Sequence, residues 1–313
     1  MSDPVPAPLD VLLGVLDLRY LGAARVHVEA EGGTELADES TRQLYQGVSQ
    51  RQPHGRVFGG QVLAQCVIAA GRSVASLADA AERPRQLHSL HAYFVRPGDS
   101  NRPIRFSVEP MRDGGSFSTR RVHAIQDDTT LLSMITSFQT AAGGLDHQDP
   151  MPPAPDPQTL PSTAELLADN DHPAAKYFAS GRPIDVRHVD TSMYLSPAPG
   201  LEAYNAVWQK AMGALPDDPL LHQAVLAYAS DYSLLEPVLR RHGLAWMDRR
   251  LRMASLDHAM WFHRPARADE WVLYTQSSPS ASGGRGLCAG RMFTQSGTLI
   301  ATVAQEGMIR VKE

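Results

Sequence analysis

The chain has 313 residues, 43% hydrophobic and 20% charged, which is enough to bury the core of two domains or two fused units. A net charge of −5 gives no basic footprint for nucleic acid, and the two cysteines, Cys66 and Cys288, have neither disulfide-framework nor metal-ligand spacing. No apolar run is long enough to span a bilayer, residues 1–8 do not form a secretion signal and residues 310–313 are not a peroxisomal address, so a cytoplasmic protein in a reducing compartment is expected.

In chain order, residues 9–18 carry Val11, Leu12, Val15, Leu16 and Leu18 at helical spacing, and residues 25–29 alternate as a strand. Residues 31–56 are polar and read as a long surface connection. Gly59-Gly60 then introduces a central helix over 61–74, with Val62, Leu63, Cys66, Val67 and Ala70 along one stripe. The glycines are either a tight turn before a helix or a source of free first-turn N–H groups facing an oxyanion or phosphate. Alternation at Ile104, Phe106 and Val108, and again at Leu132, Met134, Thr136 and Phe138, gives strands, with Gly114-Gly115 and Asp127-Asp128 as turns.

Six prolines between Pro150 and Pro161 preclude a core element and define a stiff, extended linker. Beyond it the order repeats: a strand at 184–189, a helix over 221–239, strands at 255–263 and 270–276, a turn at 280–284 and a last strand over 298–310. The repeat is visible in the residues themselves. Leu87-His-Ser-Leu-His-Ala-Tyr-Phe-Val-Arg-Pro97 recurs in Met253-Ala-Ser-Leu-Asp-His-Ala-Met-Trp-Phe-His-Arg-Pro265, with the Arg-Pro pairs offset by 265 − 97 = 168 residues. The expected organisation is an N-terminal repeat over 1–140, a proline-rich linker over 141–180 and a C-terminal repeat over 181–313.

Three polar positions of the second half interrupt apolar surroundings. Asp231 has Ala227, Tyr228, Leu234 and Leu235 as its helical neighbours, so burial should perturb its pKa. Counted from Gln61 against Gln223, the first half has Ala69 there. Ser255 falls opposite Leu87 by the 168 offset, and Gln305 stands where the first half has residues 136–138. Each has a plainer reading: an acid at the stripe's edge, an ordinary strand serine, an amide bonded to a neighbouring strand. His258 and His263, five apart on a strand, face opposite sides and read as structural, and His88 and His91 fail the same test for a metal pair. Asp257 and His258, adjacent on a strand, face apart, and there is no Gly-x-Ser-x-Gly elbow.

Together, Val57-Phe-Gly-Gly-Gln-Val62, Ser230-Asp-Tyr232, the 255–265 signature and Gln305-Glu-Gly307 resemble the type II acyl-CoA thioesterases, the TesB-like family, in order from about residue 57 to 310. The resemblance implies an α+β double hot-dog: two tandem antiparallel sheets, each wrapped around a long central helix and joined edge to edge. It carries the catalytic roles onto Asp231, Ser255 and Gln305. The implied reaction is hydrolysis of a fatty acyl-CoA to free acid and CoA, with Asp231 as base toward a water held by Ser255 and Gln305. The backbone N–H groups of Gly59, Gly60 and Gln61 are the expected oxyanion donors. No metal or organic cofactor is implied. Arg56, Arg285 and Arg291 are candidates for the CoA phosphates, although surface arginine is the commoner explanation. The family also suggests assembly into a dimer or tetramer. Two other readings stay open, a hot-dog enoyl-CoA hydratase using an Asp–His pair and a non-catalytic acyl-CoA binder. The stretches at 31–56 and 141–180 look longer than the family's pattern.

Overall fold

The computed structural model describes residues 6–26 and 40–312. Helix α1 (Pro8–Leu16) buries Leu12, Val15 and Leu16. Strands β1 (Arg19–Val26) and β2 (Ser40–Gly47) pair antiparallel. Of the strand expected at 25–29, residues 25 and 26 belong to β1, and residues 27–29 lie outside the described residues. The surface connection expected over 31–56 is corrected at β2, which pairs with β1 on one side and the later β4 on the other. Thr41-Arg-Gln43 hides this strand from a hydrophobicity pattern, because backbone pairing on both edges rather than apolar alternation holds it in place.

Helix α2 (Gly59–Ala75) is buried on nearly every side, including Gln61 and Gln65. Those two amides bond one another and the backbone of Val15, Val48 and Gln50, so each buried polar group has a partner. Strands β3 (Arg85–Phe94), β4 (Ile104–Asp113), β5 (Phe117–Gln126) and β6 (Thr129–Thr140) follow. Asp127 and Asp128 turn β5 into β6 with φ of 47° and 61°, the left-handed pair that a two-residue hairpin loop requires.

The linker leads through two short helices, α3 (Thr163–Leu166) and α4 (Pro173–Lys176), the latter running into a π turn at Tyr177–Gly181. The second half then contains β7 (Ile184–His188), β8 (Tyr204–Ala211), α5 (Pro219–Ser230), α6 (Glu236–Arg241), β9 (Leu251–Ser255), β10 (Asp257–Phe262), β11 (Val272–Ser282), β12 (Arg285–Thr294) and β13 (Leu299–Val311). Two expectations are corrected here. The helix over 221–239 stops at Ser230 and resumes at α6, because Pro237 lacks an N–H and its ring would strike the carbonyl four residues earlier. The strand over 255–263 is two strands hinged at Leu256, β9 pairing with β13 and β10 with both β3 and β13.

All the described strands form one antiparallel sheet in the order β1-β2-β4-β5-β6-β3-β10-β13-β12-β11-β8-β7, with β9 branching onto β13. The seam between the halves is the β3–β10 pair. It runs from Tyr93 opposite Asp257 to Ser89 opposite Trp261, and its middle is His91 opposite Ala259. Those two are 259 − 91 = 168 residues apart, so the repeat offset and the seam define one pseudo-two-fold axis. Inside the wrapped sheet, α2 and α5 pack together in a single core containing Val67, Ala70, Ala224, Tyr228, Met260 and Val303. That is the double hot-dog architecture.

The linker is extended, and it also covers the sheet. Met151, Ala154 and Leu160 lie on Trp208, Trp271 and Phe293, and Trp208 Nε1 donates to Pro155 O at 2.9 Å. Strand β8, with core on one side and linker on the other, is buried almost continuously rather than alternately. Among the described residues, no helix is long and apolar enough to cross a membrane.

Candidate active site

The three polar positions singled out in the second half converge. Asp231 sits at the C-cap of α5, where the break before α6 leaves its carboxylate at the helix end. Gln305, 1% exposed on β13, donates through Nε2 to Asp231 Oδ1 at 2.9 Å and to Ser255 Oγ at 2.5 Å. Ser255, the last residue of β9, donates to Asp231 Oδ1 at 3.3 Å, the longest contact of the three. The hinge at Leu256 lets β9 aim Ser255 at the carboxylate while β10 stays in the seam.

The first half completes the site. The first turn of α2 lies against the Asp231 carboxylate, and the Gly60 N–H facing it lowers the pKa of the acid, as the positive end of a helix does. The glycines are there for proximity, since neither has positive φ. A Cβ on Gly59 would lie 2.7 Å from Asp231 Oδ2 and 2.9 Å from Phe94, and one on Gly60 would lie 2.4 Å from Tyr228 O. The Gln61 N–H is engaged elsewhere, donating to Phe58 O at 3.2 Å. Loss of hydration pushes the Asp231 pKa up to about 6, with the bonds from Gln305, Ser255 and Gly60 pulling against it. A carboxylate so poised accepts a proton near neutrality.

Comparison with known proteins gives the family. Two family models cover the chain, one described as acyl-CoA thioesterase N-terminal domain over residues 48–139 and one as acyl-CoA thioesterase over residues 179–308. The chain belongs to the acyl-CoA thioesterase family. It is 38% identical to acyl-CoA thioesterase 2 of Haemophilus influenzae over 279 residues, covering 86% of this chain and 93% of that one. It is 39% identical to human acyl-coenzyme A thioesterase 8, covering 86% and 85%. Among solved structures, an acyl-CoA thioesterase II (TesB2) from Mycobacterium marinum superposes with a TM-score of 0.72 at 42% identity, covering 96% of this chain and 99% of that one. A hot-dog protein from Alicyclobacillus acidocaldarius superposes at 0.70 with 17% identity and attests the fold alone.

The remaining candidates separate by geometry. Arg285 is paired with Glu306 at 3.0 Å and Arg291 with Asp149 at 3.1 Å. Arg56 is exposed two residues before Phe58, beside the first turn of α2. His263 is exposed and bonds Thr302, while His88 bonds Ser137. Asp257 accepts from the Glu306 N–H, facing away from His258 as expected. No cluster of three or more His, Cys, Asp or Glu able to hold a metal occurs among the described residues.

The residue of this network that spacing alone does not reveal is His258. It is fully buried behind Gln305, with Nδ1 2.8 Å from Gln305 Oε1 and Nε2 2.9 Å from Ser230 Oγ. A facing test compares residues on one strand, whereas this partner lies 47 residues away on β13. The signal was present in the repeat: the 168 offset sets His258 against Leu90.

Proposed function

We propose that the chain hydrolyses acyl-CoA thioesters, fatty acyl-CoA above all, by direct attack of water, with Asp231 as general base. The observation that carries this reading is the convergence of Asp231, Ser255, Gln305 and the Gly60 N–H on one point, from α5, β9, β13 and α2. A water inserted at the longest of these contacts, between Ser255 and Asp231, donates to the carboxylate and to the serine oxygen and accepts from the Gln305 amide, which leaves one lone pair for the attack. Its oxygen attacks the thioester carbonyl carbon while its proton passes to Asp231. The carbonyl oxygen becomes an oxyanion, for which the Gly59 and Gly60 N–H groups at the positive end of α2 are the donors in this reading. The Gly60 N–H turns to the oxyanion from Asp231 once that carboxylate has taken up the water's proton, whereas the Gln61 N–H stays held by Phe58 O. Collapse of the intermediate breaks the C–S bond, and the CoA thiolate recovers the proton from Asp231. No covalent enzyme intermediate, metal or organic cofactor enters.

A hydratase would need an acid–histidine pair. His258, the histidine nearest the acid in this network, bonds Gln305 and Ser230 rather than Asp231, which favours hydrolysis. The deciding experiment is CoA release from a chain-length series of acyl-CoAs, read with a thiol reagent, for wild type and Asp231→Asn. Wild-type turnover that drops at least about 100-fold in the variant supports the assignment. An Asp231→Asn variant with an unchanged rate refutes the base, and no release by folded wild type moves the chain to acyl-CoA binding. Arg56→Ala should raise KM with little change in kcat if Arg56 meets the CoA phosphates.

A further inference from the structure

We propose that His258, backed by Ser230, is a positioning residue that selects the orientation of the Gln305 amide, and with it the donors that face the nucleophilic water. The inference rests on the role given to Gln305 above. A glutamine amide has nearly the same shape after a half-turn about its last torsion, yet its two ends have opposite hydrogen-bonding character. Gln305 is 1% exposed, so solvent does not decide which end points where. One end meets Asp231 Oδ1 and Ser255 Oγ, and the other meets His258 Nδ1 at 2.8 Å. Beside an ionised carboxylate, the NH2 end must face Asp231 and Oε1 must face the histidine.

That arrangement requires His258 to carry its proton on Nδ1. The ring is wholly buried, which holds its pKa down to about 4, so it is neutral and has a single proton to place. With that proton on Nδ1, Nε2 must accept, and its partner at 2.9 Å is the Ser230 hydroxyl. Ser230 Oγ also lies 2.8 Å from Ala227 O, and one hydroxyl hydrogen serves one acceptor. Two self-consistent chains therefore exist. In the first, Ser230 donates to His258, His258 to Gln305, and Gln305 to Asp231 and Ser255. In the second, Ser230 donates to Ala227 O, His258 donates to Ser230, the Gln305 NH2 turns to His258, and its carbonyl confronts the carboxylate. The first gives up the Ser230–Ala227 O bond, but only it sets a donor rather than a carbonyl oxygen against Asp231 when that carboxylate is ionised.

The repeat argues that the fold does not itself require these groups. Across β3 and β6, Leu90 stands opposite Thr136 in the register that sets His258 beside Gln305 in the second half. Counting α2 against α5 from Gln61 and Gln223, Ile68 matches Ser230 and Ala69 matches Asp231. Where the acid is absent, leucine and isoleucine stand in place of His258 and Ser230, and Thr136 in place of the amide. A histidine kept only for packing has no reason to vanish together with a glutamine and an aspartate.

The test is a double-mutant cycle in kcat between His258→Leu, the residue the first half carries, and Gln305→Ala. His258→Leu should unfold at the wild-type temperature within a few degrees, keep KM within about two-fold and lose roughly 10- to 100-fold in kcat. In the Gln305→Ala background it should lose nothing further, because there is no amide left to orient. Multiplied losses, or a His258→Leu variant with wild-type kcat, overturn the inference. If Gln305→Ala itself turns over at the wild-type rate, the water-binding role of Gln305 is what has failed. If His258→Leu does not fold, Ser230→Ala, which removes only the donor to Nε2, is run through the same cycle: no further loss beside Gln305→Ala supports the inference, and multiplied losses overturn it.

Discussion

Asp231 is under opposed demands that can be separated by pH. Its carboxyl is raised from 3.8 to about 6, chiefly by desolvation, so the folded protein holds a proton there between about pH 4 and pH 6 that the unfolded chain has released. Stability linked to this group is therefore greatest below about pH 4, falls as pH rises through that window, and stays lower above it. That difference corresponds to about 3 kcal/mol. Activity should run the other way, since the base role proposed for Asp231 needs the ionised form: kcat/KM should rise through a limb near pH 6 and level off above it. Asp231→Asn should accordingly be the more stable protein at pH 8, by up to about 3 kcal/mol, and match wild type near pH 4, as urea unfolding at the two pH values would show. An equal denaturant midpoint at pH 8 would mean that Gln305, Ser255 and Gly60 already offset the burial.

The contact between α2 and α5 sets the site's geometry, and glycine sets the contact. A methyl at Gly60 would lie 2.4 Å from the Tyr228 carbonyl and 2.6 Å from the Phe58 ring, so Gly60→Ala must push the first turn of α2 away from the end of α5. Overpacking of this kind costs about 1–3 kcal/mol. The same displacement withdraws the Gly60 N–H from Asp231, so kcat should fall further than the stability loss explains in protein that remains folded. Circular dichroism beside CoA release checks both, and full activity in Gly60→Ala would remove the helix N-terminus from the mechanism. At this scale the sequence was only partly legible. The periodicity of α2 and the alternation of β4, β6 and β7 were plain. Pro237 marked the break between α5 and α6 and was overridden by the apolar run around it. β2 was hidden because neighbouring strands hold it, and β8 because the linker buries its second face and erases alternation. Neither cause is local to the element, so no window over the element could show it.

The molecule as a whole is two repeats related across the β3–β10 seam, with the acid, serine and amide of the candidate site on one of them. Repeat alignment alone exposed that asymmetry: Asp231, Ser255 and Gln305 stood out against Ala69, Leu87 and the residues around Thr136. The same alignment sets His258 against Leu90, but its bond to Gln305 joins two strands and so leaves no trace in spacing along either. The seam also decides what the two halves can do apart. The acid, serine and amide come from the second half, while Gly59, Gly60 and Phe94, which packs against Gly59, come from the first. Five β3–β10 residue pairs and the buried α2–α5 interface hold them together, while the linker crosses the far face of β8 and β11. Covalent continuity through residues 141–147 is thus dispensable and the interface is not. Residues 1–140 and 141–313 produced separately should each lack turnover. Expressed together they should copurify through the seam and hydrolyse acyl-CoA, and adding Gly60→Ala to the first piece should lower that rate. Turnover by residues 141–313 alone would show that the second half needs no donors from α2 and would confine the catalytic site to one repeat.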